Sequence, residues 1–289
     1  MRKVGSTTDT ADANGEYTNG NVANGISPTI INAEMLNTFQ RELVNIVEGA
    51  GMELDPADDN QVAKAIEKKV GGGRLLNIKT FTSSGTYTPT PGTRYVIVEA
   101  VGGGGGGGGC SSTTSDNAAV SGGGASGSYI KAKFDIASIG DTVEITIGAG
   151  GVGGIGGRAG GAGGDTKFGA LATATGGKGG TSSTSPASSA FIAVGGAPGS
   201  IPIGGNLISS LGSRGGAGLF FNSSTGAVGG DGAPSQYGGS GIGSGSSGTT
   251  GTNGSGYGSG GGGNARQPSS GAVNGYDGAK GILIIYEYS

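Results

Sequence analysis

The stretch GAGGVGGIGGRAGGAGG, Gly148–Gly164, decides how this chain is read. Ala149, Val152, Ile155 and Arg158 fall three apart, each separated from the next by two glycines. Ala159 slips the phase by one residue, and Ala162 and Asp165 resume it. A period of three fits neither the 3.6-residue helix nor the two-residue strand. It does fit polyproline-II geometry, a left-handed helix with three residues per turn and a rise of about 3.1 Å. Such a helix has no internal hydrogen bonds, so its N–H and C=O groups need outside partners. Glycine on two of the three faces lets neighbouring backbones come close enough to supply them. The expected body is therefore a set of polyglycine-II-like rods stacked side by side.

Disorder is the competing reading, since Gly is 71 of 289 residues and Gly/Ser-rich chains are ordinarily flexible linkers. Ordering costs about 1–2 kcal/mol per residue, against about 1 kcal/mol net per hydrogen bond. A linker, however, has no reason to hold a three-residue phase or to end in a strong strand. Collagen is excluded because it needs abundant Pro and one Gly in three, whereas this chain has nine Pro and the inverse G-G-x pattern.

Composition narrows the function. With 13% charged residues and a net charge of −3, nothing electrostatic favours nucleic acid or an anionic membrane. No apolar run reaches eighteen residues and no signal pattern opens the chain, so neither a membrane span nor a secretory leader is expected. Cys110 is the only cysteine and histidine is absent, which leaves no internal disulfide and no Cys/His zinc site.

Residues 1–33 are polar and rich in Asn-Gly turns, and read as an extended attachment arm ordered on a partner. A helix is expected from Ala33 to Glu48, with Leu36, Phe39, Leu43, Ile46 and Val47 as its stripe, Asn32 as N-cap and Gly49 as C-cap. Asp55-Pro56 reads as the start of a second helix bearing Val62, Ile66 and Val70. Helices this short are marginal alone, so residues 34–73 should form a collar packed on itself or on symmetry mates. From Leu75 the period becomes two. Strands are expected at Leu76–Thr82, Arg94–Val101, Tyr129–Phe134, Asp141–Gly148 and Gly281–Tyr288, with Val143, Ile145 and Ile147 on one face. The fold class is thus mainly β with an N-terminal helical segment. A small β-sandwich base, within 74–289, carries an inserted body of packed polyglycine-II-like helices over 148–280.

Residues Gly25–Ile66, with their Gly-x-x-Pro-Thr start, Leu-Asn helix and Pro-Ala-Asp segment, resemble a part common in tail-fibre proteins of bacteriophages, prophages and phage-tail-like bacteriocins. FTSSGTYTP (Phe81–Pro89), VEAVGGGGGGGG (Val98–Gly109), VEITIGAGGVGG (Val143–Gly154) and GAKGILIIYEY (Gly278–Tyr288) are similar to the glycine-rich C-terminal domain of such fibres. Many relatives have Trp where Tyr87 stands, and this chain has no Trp. The organisation also resembles the tip adhesins of T-even-type phages, whose glycine-rich rods display recognition loops. The resemblance implies a receptor-binding fibre of a virion or phage-tail-like particle, assembled in the host cytoplasm. It implies a homotrimer docked through its arm on a baseplate or preceding fibre segment. The distal partner would be lipopolysaccharide, capsule or an outer-membrane protein.

Gly148–Gly153 satisfies G-x-G-x-x-G after a strand, but more glycine follows where a nucleotide-binding helix should open. Gly102–Gly109 ends in Cys110-Ser111 rather than Gly-Lys-Ser/Thr, so it is no P-loop and no cofactor is expected. Without histidine there is no Ser-His-Asp or Cys-His arrangement, and Asp135 with Asp141, or Asp55 with Asp58 and Asp59, read as turn and cap residues. A binding protein rather than an enzyme is expected. The candidate receptor residues are Asp116 and Asn117 in a Ser/Thr-rich loop, the Phe220-Phe221-Asn222 cluster, and Tyr237, Tyr257 and Arg266. Rigid aromatics with polar tips among small polar residues suit recognition. Phe220 and Phe221 serve equally well as a local core, while Tyr237, Tyr257 and Arg266 are expected to be exposed. An ice-binding or purely structural glycine-rich protein and a polysaccharide-depolymerising fibre are the alternatives.

Overall fold

The computed structural model describes residues 2–70, 72–245 and 250–289, and the chain divides into two compact units, Met1–Arg74 and Leu75–Ser289. In the first unit the helix α1 runs Ala33–Glu48, and the Asn32 side chain caps it by accepting from Met35 N at 3.0 Å. Gly49 is its C-cap, as expected, in a right-handed conformation (φ −64), and the chain reverses at Gly51 (φ 64), beside which Met52 N reaches Val47 O at 3.3 Å. The second helix, α2, spans Gln61–Val70, so Asp55 is not its cap. Asp55 Oδ1 accepts from Ala57 N (2.9 Å) and Asp58 Oδ1 from Asn60 N (3.0 Å). These side-chain turns compete with helix and delay it by a full turn.

The first residues do not extend as a free arm. Their Asn-Gly turns, with Gly15, Gly20 and Gly25 all at positive φ, fold the segment back on itself. Val4 and Met35 are buried, Asn32 Nδ2 donates to Thr7 O (2.6 Å), and Arg2 pairs with Glu34 (2.7 Å), which joins segment and α1 in one lobe. Of the α1 stripe, Val47 is buried while Leu36, Phe39 and Leu43 stay exposed.

The second unit opens with β1 (Leu75–Phe81), β2 (Gly85–Tyr87), β3 (Tyr95–Val101), β4 (Asn117–Ser121), β5 (Tyr129–Asp135) and the one-turn α3 (Ile136–Ile139). There follow β6 (Val143–Thr146), β7 (Thr166–Phe168), β8 (Ala172–Ala174), β9 (Ser182–Pro186) and β10 (Phe191–Ala193). The chain closes with β11 (Ile208–Ser210), β12 (Gly218–Asn222), β13 (Gly226–Val228), β14 (Ala265–Arg266) and β15 (Ile282–Tyr288). A five-stranded sheet ordered β1-β15-β3-β5-β11 faces a four-stranded sheet ordered β2-β6-β7-β8. Tyr87, Val96, Val98, Ile130, Val143, Ile145, Phe168, Leu283 and Ile285 fill the space between them. This is the sandwich base, and the C-terminal strand sits inside it because both neighbours, β1 and β3, pair with it antiparallel. Ile147 lies past the end of β6 and is only half-buried against this core.

The glycine body is a rod lattice whose two central rods lie outside the expected 148–280 bounds. They are residues 102–110, leaving the base from β3, and residues 122–128, returning to it at β5. The N–H groups of Gly102, Gly105 and Gly108 donate to Ser128, Ala125 and Gly122 O (3.1, 2.8 and 2.9 Å). Those of Gly103, Gly106 and Gly109 donate to Gly164, Gly161 and Arg158 O (2.9, 2.9 and 3.0 Å). Those of Gly104, Gly107 and Cys110 donate to Ala279, Tyr276 and Val273 O (2.8, 2.8 and 2.9 Å). The carbonyls in turn accept from Gly151 and Gly154, from Gly177 and Gly180, and from Gly261. Three rods receive and three donate, which is hexagonal packing. The 122–128 rod is surrounded in the same way: it donates to the 175–181, 213–216 and 258–264 rods and accepts from residues 102–108, 196 and 233. Residues 148–164, by contrast, form outer rods whose Val152 (66%) and Ile155 (68%) project into solvent on the one face that is not glycine.

Glycine is obligatory along residues 102–109, whereas the 122–128 rod also holds the buried Ala125, Ser126 and Ser128. A Cβ on Gly104, Gly105 or Gly107 would run into the main-chain carbonyls of Ser259, Lys178 or Gly262. At about 3.1 Å per residue the 102–110 rod carries the chain roughly 28 Å from the base.

Candidate functional site

The far end of the lattice is closed by a cap of short strands. One sheet is ordered β14-β4-β9 and another β10-β12-β13. Between them Ala118, Val120, Ala193, Phe220, Ala227 and Ala265 form a second core, on which Phe191 and Ala187 pack. Small residues make this possible: β4 is buried on both faces from Ala118 to Ser121, Ala118 lets the two sheets meet closely, and Phe220 fills the gap, stacking on Phe191 at 5.1 Å. Phe220 is therefore core (1% exposed), while Phe221, one residue along the strand, points outward (46% exposed).

The cap brings six of the candidate residues to this end. Asn117 opens β4 opposite Pro186 of β9, and Asp116 O accepts from Ala187 N at 2.8 Å. Arg266 pairs with Ala119 across β14 and β4. Its guanidinium is half-buried rather than exposed, because Nε donates to Gly271 O and Nη1 to Ala265 O, both at 3.1 Å. Asn222 Oδ1 accepts from Ser224 N (3.0 Å), Ser224 Oγ (2.9 Å) and Thr225 N (2.6 Å), so its side chain shapes the β12–β13 turn. Around them lie the hydroxyls of residues 111–115 and 183–185, with Ser111 Oγ 2.8 Å from Thr184 Oγ1. Gln267 also belongs here, although nothing in its Arg-Gln-Pro context marked it. Its Oε1 is, among the described residues, the buried side-chain oxygen that lacks a hydrogen bond.

Tyr237 and Tyr257 are at the opposite end and are half-buried, not exposed. They bridge each other, and the Tyr237 hydroxyl donates to Glu99 on the outer face of β3 while its ring meets Tyr129 edge-on at 6.2 Å. Burial works against the Glu99 charge, but hydrogen bonds from Lys131 (2.9 Å) and Tyr237 outweigh it and hold the carboxyl below its ordinary range. Burial first, and the Glu99 hydrogen bond second, push the Tyr237 phenol upward. A recess of about 240 Å³ beside these rings is lined by Ser126, Tyr129, Leu211, Ser213 and Gln236. Two of its hydroxyls are already engaged: Ser126 Oγ accepts from Ser213 N and Ser210 Oγ donates to Leu211 O. The base end is thus structural, and the cap is the better candidate.

Cys110 ends the central rod as a buried thiol, its Sγ donating to Asn264 O at 3.2 Å, and burial pushes its pKa up to about 11. It is an inert packing group. Among the described residues no three His, Cys, Asp or Glu side chains cluster as a metal site.

A β-sandwich that extends a cross-linked glycine lattice to a loop-bearing cap defines a glycine-rich structural domain. Residues 80–288 match the family of that description, and this chain belongs to the glycine-rich domain family. No match to it was found among curated proteins.

Proposed function

We propose that this chain is a phage-type tail fibre or receptor-binding protein, acting in a virion or phage-tail-like particle. One observation carries the reading: a rod body held by main-chain bonds in three directions ends in a hydroxyl-rich cap remote from both ends of the 75–289 unit. Loops on so stiff a support lose little entropy on binding. Asp116, Asn117, Phe221 and Arg266 would meet a bacterial surface molecule, whether lipopolysaccharide, capsule or an outer-membrane protein. Tyr237 and Tyr257 leave the set. The protein binds without catalysis or cofactor.

The sequence resemblance to tail fibres supports the same reading, as does the exposed Leu36, Phe39 and Leu43 seam on α1. With Ile46 these residues repeat at three and four, the spacing by which helices of separate chains interlock. A homotrimer joined there would dock on a baseplate or preceding fibre segment through residues 1–33. Binding of labelled protein to bacteria lacking one surface component at a time tests the proposal. Attachment lost with one such component supports it; equal binding to every strain and to bare beads refutes it.

A further inference from the structure

A rod lattice has the same exposure problem as a sheet with an open edge. Each outermost rod presents N–H groups where the next rod would supply carbonyls, and such a row invites another chain to add. In the central rods every such N–H meets a main-chain carbonyl. On the perimeter side chains take that place. Asp277 Oδ1 accepts from Gly153 N (2.7 Å) and Asn274 Oδ1 from Gly156 N (3.1 Å). The acceptors are three residues apart on their rod, as the donors are on theirs, which is the repeat an absent rod would have. Elsewhere on the perimeter, Asp231 Oδ1 accepts from Gly243 N (2.7 Å) and Asp165 Oδ1 from Gly176 N (3.1 Å).

We propose that Asp165, Asp231, Asn274 and Asp277 are edge caps that stop the lattice growing sideways, and that what they exclude is the glycine body of a second copy of this chain. A side-chain oxygen serves both purposes, because it satisfies the amide and belongs to a hydrated polar group that an incoming bare backbone would have to desolvate. This goes beyond the receptor reading and does not rest on it.

The test compares two triple variants of the full chain. In the first, Asp165→Ala, Asp231→Ala and Asp277→Ala remove the acceptors; in the second, the same residues become Asn, which keeps an acceptor oxygen. Sedimentation over a concentration series should show the Ala variant rising to at least twice the native mass while the Asn variant follows the native protein. A folded Ala variant that keeps the native mass overturns the proposal, and so does an Asn variant that associates like the Ala one. If the triple Ala variant does not fold, amide exchange on Asp277→Ala alone decides. Protection should be lost at Gly153 and kept at Gly151, which donates to Gly104 O. A Gly153 amide already unprotected in the native protein overturns the idea.

Discussion

Glu287 shows how a single residue anchors the base. It is fully buried in β15, yet its carboxylate accepts from the Tyr87 hydroxyl (2.8 Å), Thr90 N (2.9 Å) and Thr90 Oγ1 (2.6 Å), and pairs with Lys79 (3.2 Å). Burial opposes the charge, and the Thr90, Tyr87 and Lys79 hydrogen bonds overcome it, so the carboxyl titrates below its ordinary range. A depressed folded-state pKa gives stability that is complete above the unfolded value of about 4.3 and is lost as pH falls through the folded one. Thermal unfolding should therefore be flat from neutral pH to about 5 and shift to lower temperature in more acidic buffers. Glu99 contributes in the same direction. Glu287→Gln should cost about 1–3 kcal/mol at neutral pH and flatten the acid limb of the curve, measured by denaturant unfolding at each pH. An unchanged acid limb would assign it to other carboxylates.

At the scale of elements, the lattice predicts a sharp contrast between glycines. Gly105→Ala puts a methyl group against the Lys178 carbonyl, with backbone on all sides and no side chain to move aside. It should cost at least about 1–3 kcal/mol, the range for overpacking. Gly271→Ala, where nothing lies within 4 Å, should leave the unfolding midpoint unchanged. Equal midpoints for the two variants would mean that the central rod is not tightly enclosed. The same geometry explains what was legible in the sequence. The three-residue phase shows in residues 148–164 because those rods are peripheral, so every third residue faces solvent and can carry a side chain. The 102–109 rod needs glycine on all three faces, which erases the period: Gly102–Gly109 reads as a featureless run although it is the axis. The Asp55 turn is ambiguous in the sequence for a different reason, since an Asp-Pro pair fits both a helix cap and an Asx turn. Only Gln61, whose amide reaches back to Asp55 N and O, settles between them. Local pattern likewise could not divide the candidate residues, because which rod end a loop occupies depends on how many rods precede it.

The whole molecule joins a lobe with an exposed apolar seam to a stiff body with a polar cap, and the proposed fibre needs both. Side-chain contacts at the cap are individually weak, so Phe221→Ala with Asp116→Ala should abolish attachment to the receptor-bearing strain without moving the unfolding midpoint. Tyr257→Ala, at the base end, should spare attachment; the reverse pattern would move the site to the base. The seam enters by multiplying these contacts. Changing Leu36, Phe39 and Leu43 together to Ser removes apolar area that is exposed within one chain, so each chain should keep its fold while the assembly falls to single chains in sedimentation. Linked sites raise overall affinity by about 10²–10⁴ over one site, and attachment of the triple Ser variant to whole cells should fall by about that factor. Fusing residues 75–289 to an unrelated trimeric coiled coil should restore it. A triple variant that stays assembled would remove the seam from the interface. One that dissociates yet binds cells as tightly as the native protein would show that a single cap suffices.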